Sequence, residues 1–176
     1  MLRCIPRPAW LGLAALLSSA SIAHAACSAN HVEIEAGRGD EVDAVGVGWR
    51  HALGGDCGTR RFALLLRADH WRGRDPEPAN RSIWDVSATP VLELPVSGAP
   101  WPLRVDIGIG VHAISHAHIN AERKLSTAFQ FGEFIGTTLD LGRVEIGLRV
   151  QHVSNGGIKH PNDGLTYLLL TISRGF

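Results

Sequence analysis

The sequence predicts an all-β protein: one eight-stranded antiparallel transmembrane β-barrel of the bacterial outer membrane. Three observations predict it. The chain opens with an export signal, the remainder alternates with period two, and its clearest strands oppose an apolar face to one of charge and glycine.

The signal comes first along the chain. Arg3 and Arg7 form a basic start, residues 9–17 an apolar run, and Ala23-His24-Ala25 a small-x-small cleavage site. Residues 1–25 therefore read as a signal peptide and residues 26–176 as a single barrel domain. The apolar run is too short for a spanning helix, which needs roughly 20 residues. A lipoprotein reading of Cys27 wants an apolar residue where His24 stands.

Seventeen basic and 17 acidic residues cancel, so no basic stripe points to a nucleic-acid partner. Of three cysteines, Cys4 leaves with the signal. Cys27 and Cys57 remain, in a compartment where disulfides persist, and are expected to bond; two free thiols are the alternative. Two well-separated thiols argue against a cysteine metal site.

Beyond residue 26 the expected strands cover 31–37, 41–52, 60–71, 81–96, 102–114, 126–140, 144–154 and 165–176. The fifth sets Leu103, Val105, Ile107, Ile109 and Val111 against Arg104, Asp106, Gly108, Gly110 and His112. The seventh sets Val144, Ile146, Leu148 and Val150 against Glu145, Gly147, Arg149 and Gln151. In the eighth, Leu168, Leu170, Ile172 and Phe176 oppose Tyr167, Leu169, Thr171 and Ser173. A soluble barrel would turn its charges outward. Here charge mixed with glycine suits a crowded lumen, where Arg104, Asp106, Glu145 and Arg149 can satisfy one another. The apolar face then meets lipid, and the barrel must close because an open edge cannot be hydrogen-bonded in a bilayer. The terminal Phe176 resembles the aromatic ending of outer-membrane barrels.

With the N-terminus in the periplasm, 53–59, 97–101 and 141–143 become periplasmic turns. Segments 38–40, 72–80, 115–125 and 155–164 become outer loops. The seventh strand then breaks its pattern at its outer end, where the lipid face continues with His152 and Ser154. Residues two apart on a strand share a face. A serine beside an imidazole is the minimum for an activated nucleophile, because the ring accepts the hydroxyl proton during attack on a carbonyl. Two polar side chains resting in the headgroup zone would look the same.

The wider segment adds to this. Residues 151–164, Gln-His-Val-Ser-Asn-Gly-Gly-Ile-Lys-His-Pro-Asn-Asp-Gly, closely resemble the signature of the PagL family of lipid A 3-O-deacylases: His-x-Ser-Asn, a glycine-containing loop, then Pro-Asn-Asp-Gly. Ile107-Gly108-Ile109-Gly110-Val111 and the Ile135-Gly136 region are similar more loosely. The resemblance implies an outer-membrane barrel that removes the acyl chain ester-linked at position 3 of lipid A, without metal or cofactor. Its partners would be lipopolysaccharide and the surrounding outer-membrane lipids; it leaves the oligomeric state open.

By the same resemblance Ser154 is the nucleophile, His152 the general base, and Asn155 the oxyanion-stabilising asparagine. Gly157 and Asn162 hold the loop's shape or support the oxyanion site. The family's third triad member, a glutamate, falls on Thr166, which shares the apolar face of its strand but not a carboxylate's chemistry. A tight turn at Gly142-Arg143 would pair Leu141 with Val144 and set Glu133 opposite His152. Three readings of Glu133 stand. It binds the acyl chain's hydroxyl, as the family's aspartate at this position implies; it orients His152; or a bulge turns it into the lumen. Three functions stand as well: an active deacylase, a weakened or inactive barrel that binds lipid or supports the membrane, and a phospholipase.

Overall fold

The computed structural model describes residues 29–54, 59–74 and 82–176. The expected signal peptide and the expected Cys27–Cys57 disulfide lie outside them. The described chain forms eight antiparallel strands: β1 Asn30–Gly39, β2 Val42–Gly54, β3 Arg61–Gly73, β4 Ser82–Pro95, β5 Leu103–Ile114, β6 Phe129–Asp140, β7 Val144–Ser154 and β8 Leu165–Gly175. Each pairs with its sequence neighbour, and β1 closes on β8, leaving no free edge. Strands of 10 to 14 residues meet the length needed to cross a bilayer at a tilt.

The expected alternation holds. Ile107, Ile109 and Val111 on β5, Val144, Ile146, Leu148 and Val150 on β7 and Leu168, Leu170 and Ile172 on β8 are exposed. Trp84 and Phe129 stand at the outer end of this apolar face, and Trp101 and Phe176 at the periplasmic end. Both pairs are exposed and suited to the two membrane interfaces.

Inside, charges are paired in two layers. Near the periplasmic end Arg104 donates to Glu145 Oε1 at 2.6 Å and to Asp106 Oδ1 at 2.7 Å, while Arg50 also binds Glu145 and Arg61 binds Glu93. Arg149 departs from the expected grouping. Its partners are Glu35 at 2.9 Å and Glu33 at 3.0 Å, because barrel closure sets β1 on the far side of β8 from β7. Arg67 donates to Glu35 at 3.0 Å and to Gln151 at 3.1 Å, completing the second layer.

An apolar cluster fills much of the outer third of the lumen, beside the buried Asp85–His112 pair. Val42, Trp71, Ile83, Ile114, Val153, Leu165 and Tyr167 are buried there together with Ile119 and Leu125, which descend from the β5–β6 loop as a plug. This explains why β6 starts at Phe129 rather than at 126. Leu125 is spent on the plug, and Ser126 takes a positive φ of 61° to turn the chain back. The first outer loop contracts to the two residues Asp40 and Glu41, both at positive φ, because β1 and β2 stay paired up to Gly39 and Val42.

Candidate active site

The site is built on one row of the barrel's outer rim. The β6–β7 turn is tight: Leu141 N–H donates to Val144 O at 2.9 Å, and Asp140 Oδ1 accepts from Gly142 N–H at 2.7 Å. Gly142 has φ 94°, a conformation that a side chain would resist. Counting from this turn, Glu133 pairs with His152 and Phe131 with Ser154. On the other flank His152 pairs with Thr166 of β8. Glu133, His152 and Thr166 thus form a cross-strand row on the outward face. Glu133 is exposed between Phe131 and Ile135, so the reading that turns it into the lumen does not hold.

His152 Nδ1 lies 2.8 Å from Thr166 Oγ1. Among the described residues the His152 Nε2, the Ser154 hydroxyl and the Glu133 carboxylate make no hydrogen bond. Ser154 follows His152 by two residues on the same face, so the two side chains are neighbours. Gly164 sets the ring's position from beyond the loop. It has φ 65°, and a Cβ there would fall 2.8 Å from His152 Cε1 and 3.2 Å from Nε2. Only glycine leaves room for the imidazole edge.

The 155–164 loop is held by Asn155, which is fully buried. Its Nδ2 donates to Leu125 O at 2.8 Å and Lys159 O at 2.7 Å, and its Oδ1 accepts from Gly157 N–H at 2.9 Å. Its backbone N–H donates to Asn162 Oδ1 at 3.0 Å. Both amide hydrogens of Asn155 are therefore committed to loop carbonyls. The loop donors without a partner among the described residues include the Asn162 side-chain amide and the Gly156 N–H, the N–H that directly follows Asn155.

The β5–β6 loop buttresses this arrangement. Lys124 N–H donates to Asp163 Oδ2 at 2.8 Å, and the Ser126 hydroxyl to Pro161 O. Among the described residues no group of three or more His, Cys, Asp or Glu is placed to hold a metal.

Sequence reasoning placed Ser154, His152, Thr166, Glu133, Asn155, Gly157 and Asn162 in this region, and they lie in one patch. It missed Gly164 as the space for the ring, Leu125 as the plug and loop anchor, and Asp40, whose carboxylate accepts from Thr166 N–H at 2.6 Å. Only Gly164 carried a signal, as the glycine of an Asn-Asp-Gly turn. The others depend on how the loops meet.

A family model described as Lipid A 3-O-deacylase (PagL) matches residues 43–174. This chain belongs to that family. A curated relative from Bordetella bronchiseptica, named lipid A deacylase PagL, is 30% identical over 175 residues, covering 94% of each chain. A second of the same name from Pseudomonas aeruginosa is 31% identical over 97 residues, 54% of each chain. Among solved structures, the outer membrane enzyme PagL superposes with TM-score 0.70 at 22% identity, covering 83% of this chain and 99% of that one. The N-terminal β-barrel domain of Pseudomonas aeruginosa OprF follows with TM-score 0.57 at 13% identity, covering 84% and 96%. Those two likenesses are of fold. Family, closed barrel and lipid-facing apolar surface make this chain a bacterial outer-membrane protein.

Proposed function

We propose that this chain hydrolyses the ester that holds the primary acyl chain at position 3 of lipid A. The observation that carries the reading is the outward row at the barrel rim: His152 held through Nδ1 by Thr166, with Ser154 beside it at the depth of the outer leaflet. With Thr166 as acceptor, the ring bears its proton on Nδ1 and offers the Nε2 lone pair to the Ser154 hydroxyl. Ser154 Oγ attacks the ester carbonyl while Nε2 takes its proton. The tetrahedral intermediate collapses by expelling the sugar hydroxyl, which recovers that proton. Water, deprotonated by the same ring, then releases the fatty acid. Serine–histidine hydrolysis needs neither metal nor cofactor.

In this reading Asn155 shapes the loop, and the oxyanion is received by the Asn162 amide and the Gly156 N–H. Gly157, tied to Asn155, holds the loop's curvature. Such donors contribute about 2.7–4 kcal/mol each where they point at the developing charge. Glu133, unbonded and exposed one strand away from His152, suits the hydroxyl of a 3-hydroxy acyl chain better than the ring, whose Nδ1 is already occupied.

Purified protein should release 3-hydroxy fatty acid from lipid A and leave diacyl glycerophospholipid intact, followed by mass spectrometry of both substrates. Preferential cleavage of the glycerolipid would make the chain a phospholipase; no cleavage of either would make it a lipid-binding or structural barrel, with Thr166 the mark of lost catalysis.

The role of Glu133 is tested by a cycle. Glu133→Gln should lower kcat/KM about tenfold, mostly through KM, since a charge-assisted hydrogen bond becomes a neutral one. Thr166→Glu should not rescue it. Rescue would assign Glu133 to the imidazole instead, because residues acting as one unit are non-additive.

A further inference from the structure

We infer that Asp40, on the β1–β2 turn, supplies a negative charge to the Ser154–His152 pair from the Thr166 side, acting as a positioning residue through Thr166. The inference rests on the hydrolytic reading above and names the regulation of its base. A serine–histidine pair forms an imidazolium during attack, and a carboxylate normally stabilises it. Thr166 has a hydroxyl on Nδ1 and no charge to offer.

The nearest carboxylate behind Thr166 is Asp40. Its Oδ2 accepts the Thr166 N–H at 2.6 Å, so imidazole, threonine and carboxylate stand in one chain of hydrogen-bonded residues. The turn is forced against β8 at this point. A Cβ on Gly39 would fall 2.2 Å from Thr166 O and 2.6 Å from Tyr167 Cα, so only glycine permits the approach. Asp40 itself takes φ 40°, a conformation rare for a side-chain-bearing residue, and its carboxylate is held at the far oxygen by Arg123 at 3.3 Å. Arg123 in turn donates to Asp163 O at 3.4 Å, in the loop that carries Asn162 and Gly164. The guanidinium takes the oxygen that Thr166 does not use, and both side chains keep about a third of their surface, at 30% each. The carboxylate end of this ion pair faces the catalytic row.

Other charges face His152 as well. Glu133 stands opposite on β6, Asp163 is tied to Lys124 N–H in the loops, and Lys159 and His160 are exposed in the β7–β8 loop. All of these stay constant in the test.

Asp40→Asn retains an acceptor for the Thr166 N–H and removes the charge; Arg123→Gln removes the opposing charge. The rate of lipid A hydrolysis is measured against pH in both. On the acidic side kcat/KM falls as a general base takes up a proton. Asp40→Asn should lower kcat about tenfold and move this acidic limb down by on the order of half a pH unit; Arg123→Gln should move it up. Thr166→Glu should restore at least part of the rate in the Asp40→Asn background. A merely structural clamp predicts lower rates in both variants with the limb unmoved, or Asp40→Asn unrescued by Thr166→Glu, and either result overturns the inference. If the wild-type chain hydrolyses no lipid A, the functional reading fails and takes this one with it; an active wild type with unmoved limbs removes Asp40 alone.

Discussion

Ser154→Ala should eliminate release of 3-hydroxy fatty acid from lipid A, a loss of about 10³-fold or more, while the barrel still forms. Removing the nucleophile from a complete serine triad costs about 10⁶ in turnover, with a residue left by oxyanion donors and binding. On the proposed mechanism Thr166 stands where a triad has its acid, so a lower starting rate and a smaller fold-loss are expected. His152→Ala should match it, since without a base the hydroxyl is a weak nucleophile at neutral pH. Neither side chain belongs to the lumen or the plug, and Ser154 makes no hydrogen bond among the described residues, so folding is unaffected. Mass spectrometry of lipid A from cells producing each variant, with heat-modified gel mobility as the folding check, reads both quantities. Undiminished deacylation by Ser154→Ala would remove the nucleophile assignment whatever the fold.

Arg149→Leu should have the largest effect on stability. Arg149 is buried, donates to Glu33 and Glu35 on the far side of β8, and lies over the Phe134 ring at 4.4 Å. Glu35 keeps Arg67 when Arg149 is lost, but Glu33 keeps no charged partner among the described residues. Breaking a buried pair by removing one side costs about 3–5 kcal/mol, because the remaining charge is buried without compensation. Adding Glu33→Gln should recover part of that. Urea unfolding of the detergent-solubilised barrel measures both. If the double variant is no more stable than the single one, the cost lies in lost packing instead.

Much of this molecule is local in the sequence. Side chains alternate along a strand regardless of what the strand packs against, so the charged face of β5 and β7 and the apolar face of β8 were legible residue by residue. The β6–β7 turn is equally local. Asp140, Gly142 and a two-residue reversal set the register, and the register alone puts Glu133 opposite His152 on the outward face. His152 and Ser154 were legible because they interrupt an apolar stripe, and the family resemblance supplied a role for each.

What remained hidden depends on closure. The partner of Arg149 is on β1, 114 and 116 positions away, and nothing in either strand names the other until the barrel shuts. Strand ends at 126 and 38 were misjudged because Leu125 is drawn into the lumen as a plug and the first hairpin stays paired to its tip. The family resemblance implies an oxyanion role for Asn155, yet its amide is spent on carbonyls of two loops that meet only in the fold. Asp40 reaches Thr166 across 126 positions for the same reason. Alternation and turns are written in neighbouring residues; which charge faces the imidazole is decided by which strands the closing barrel sets side by side.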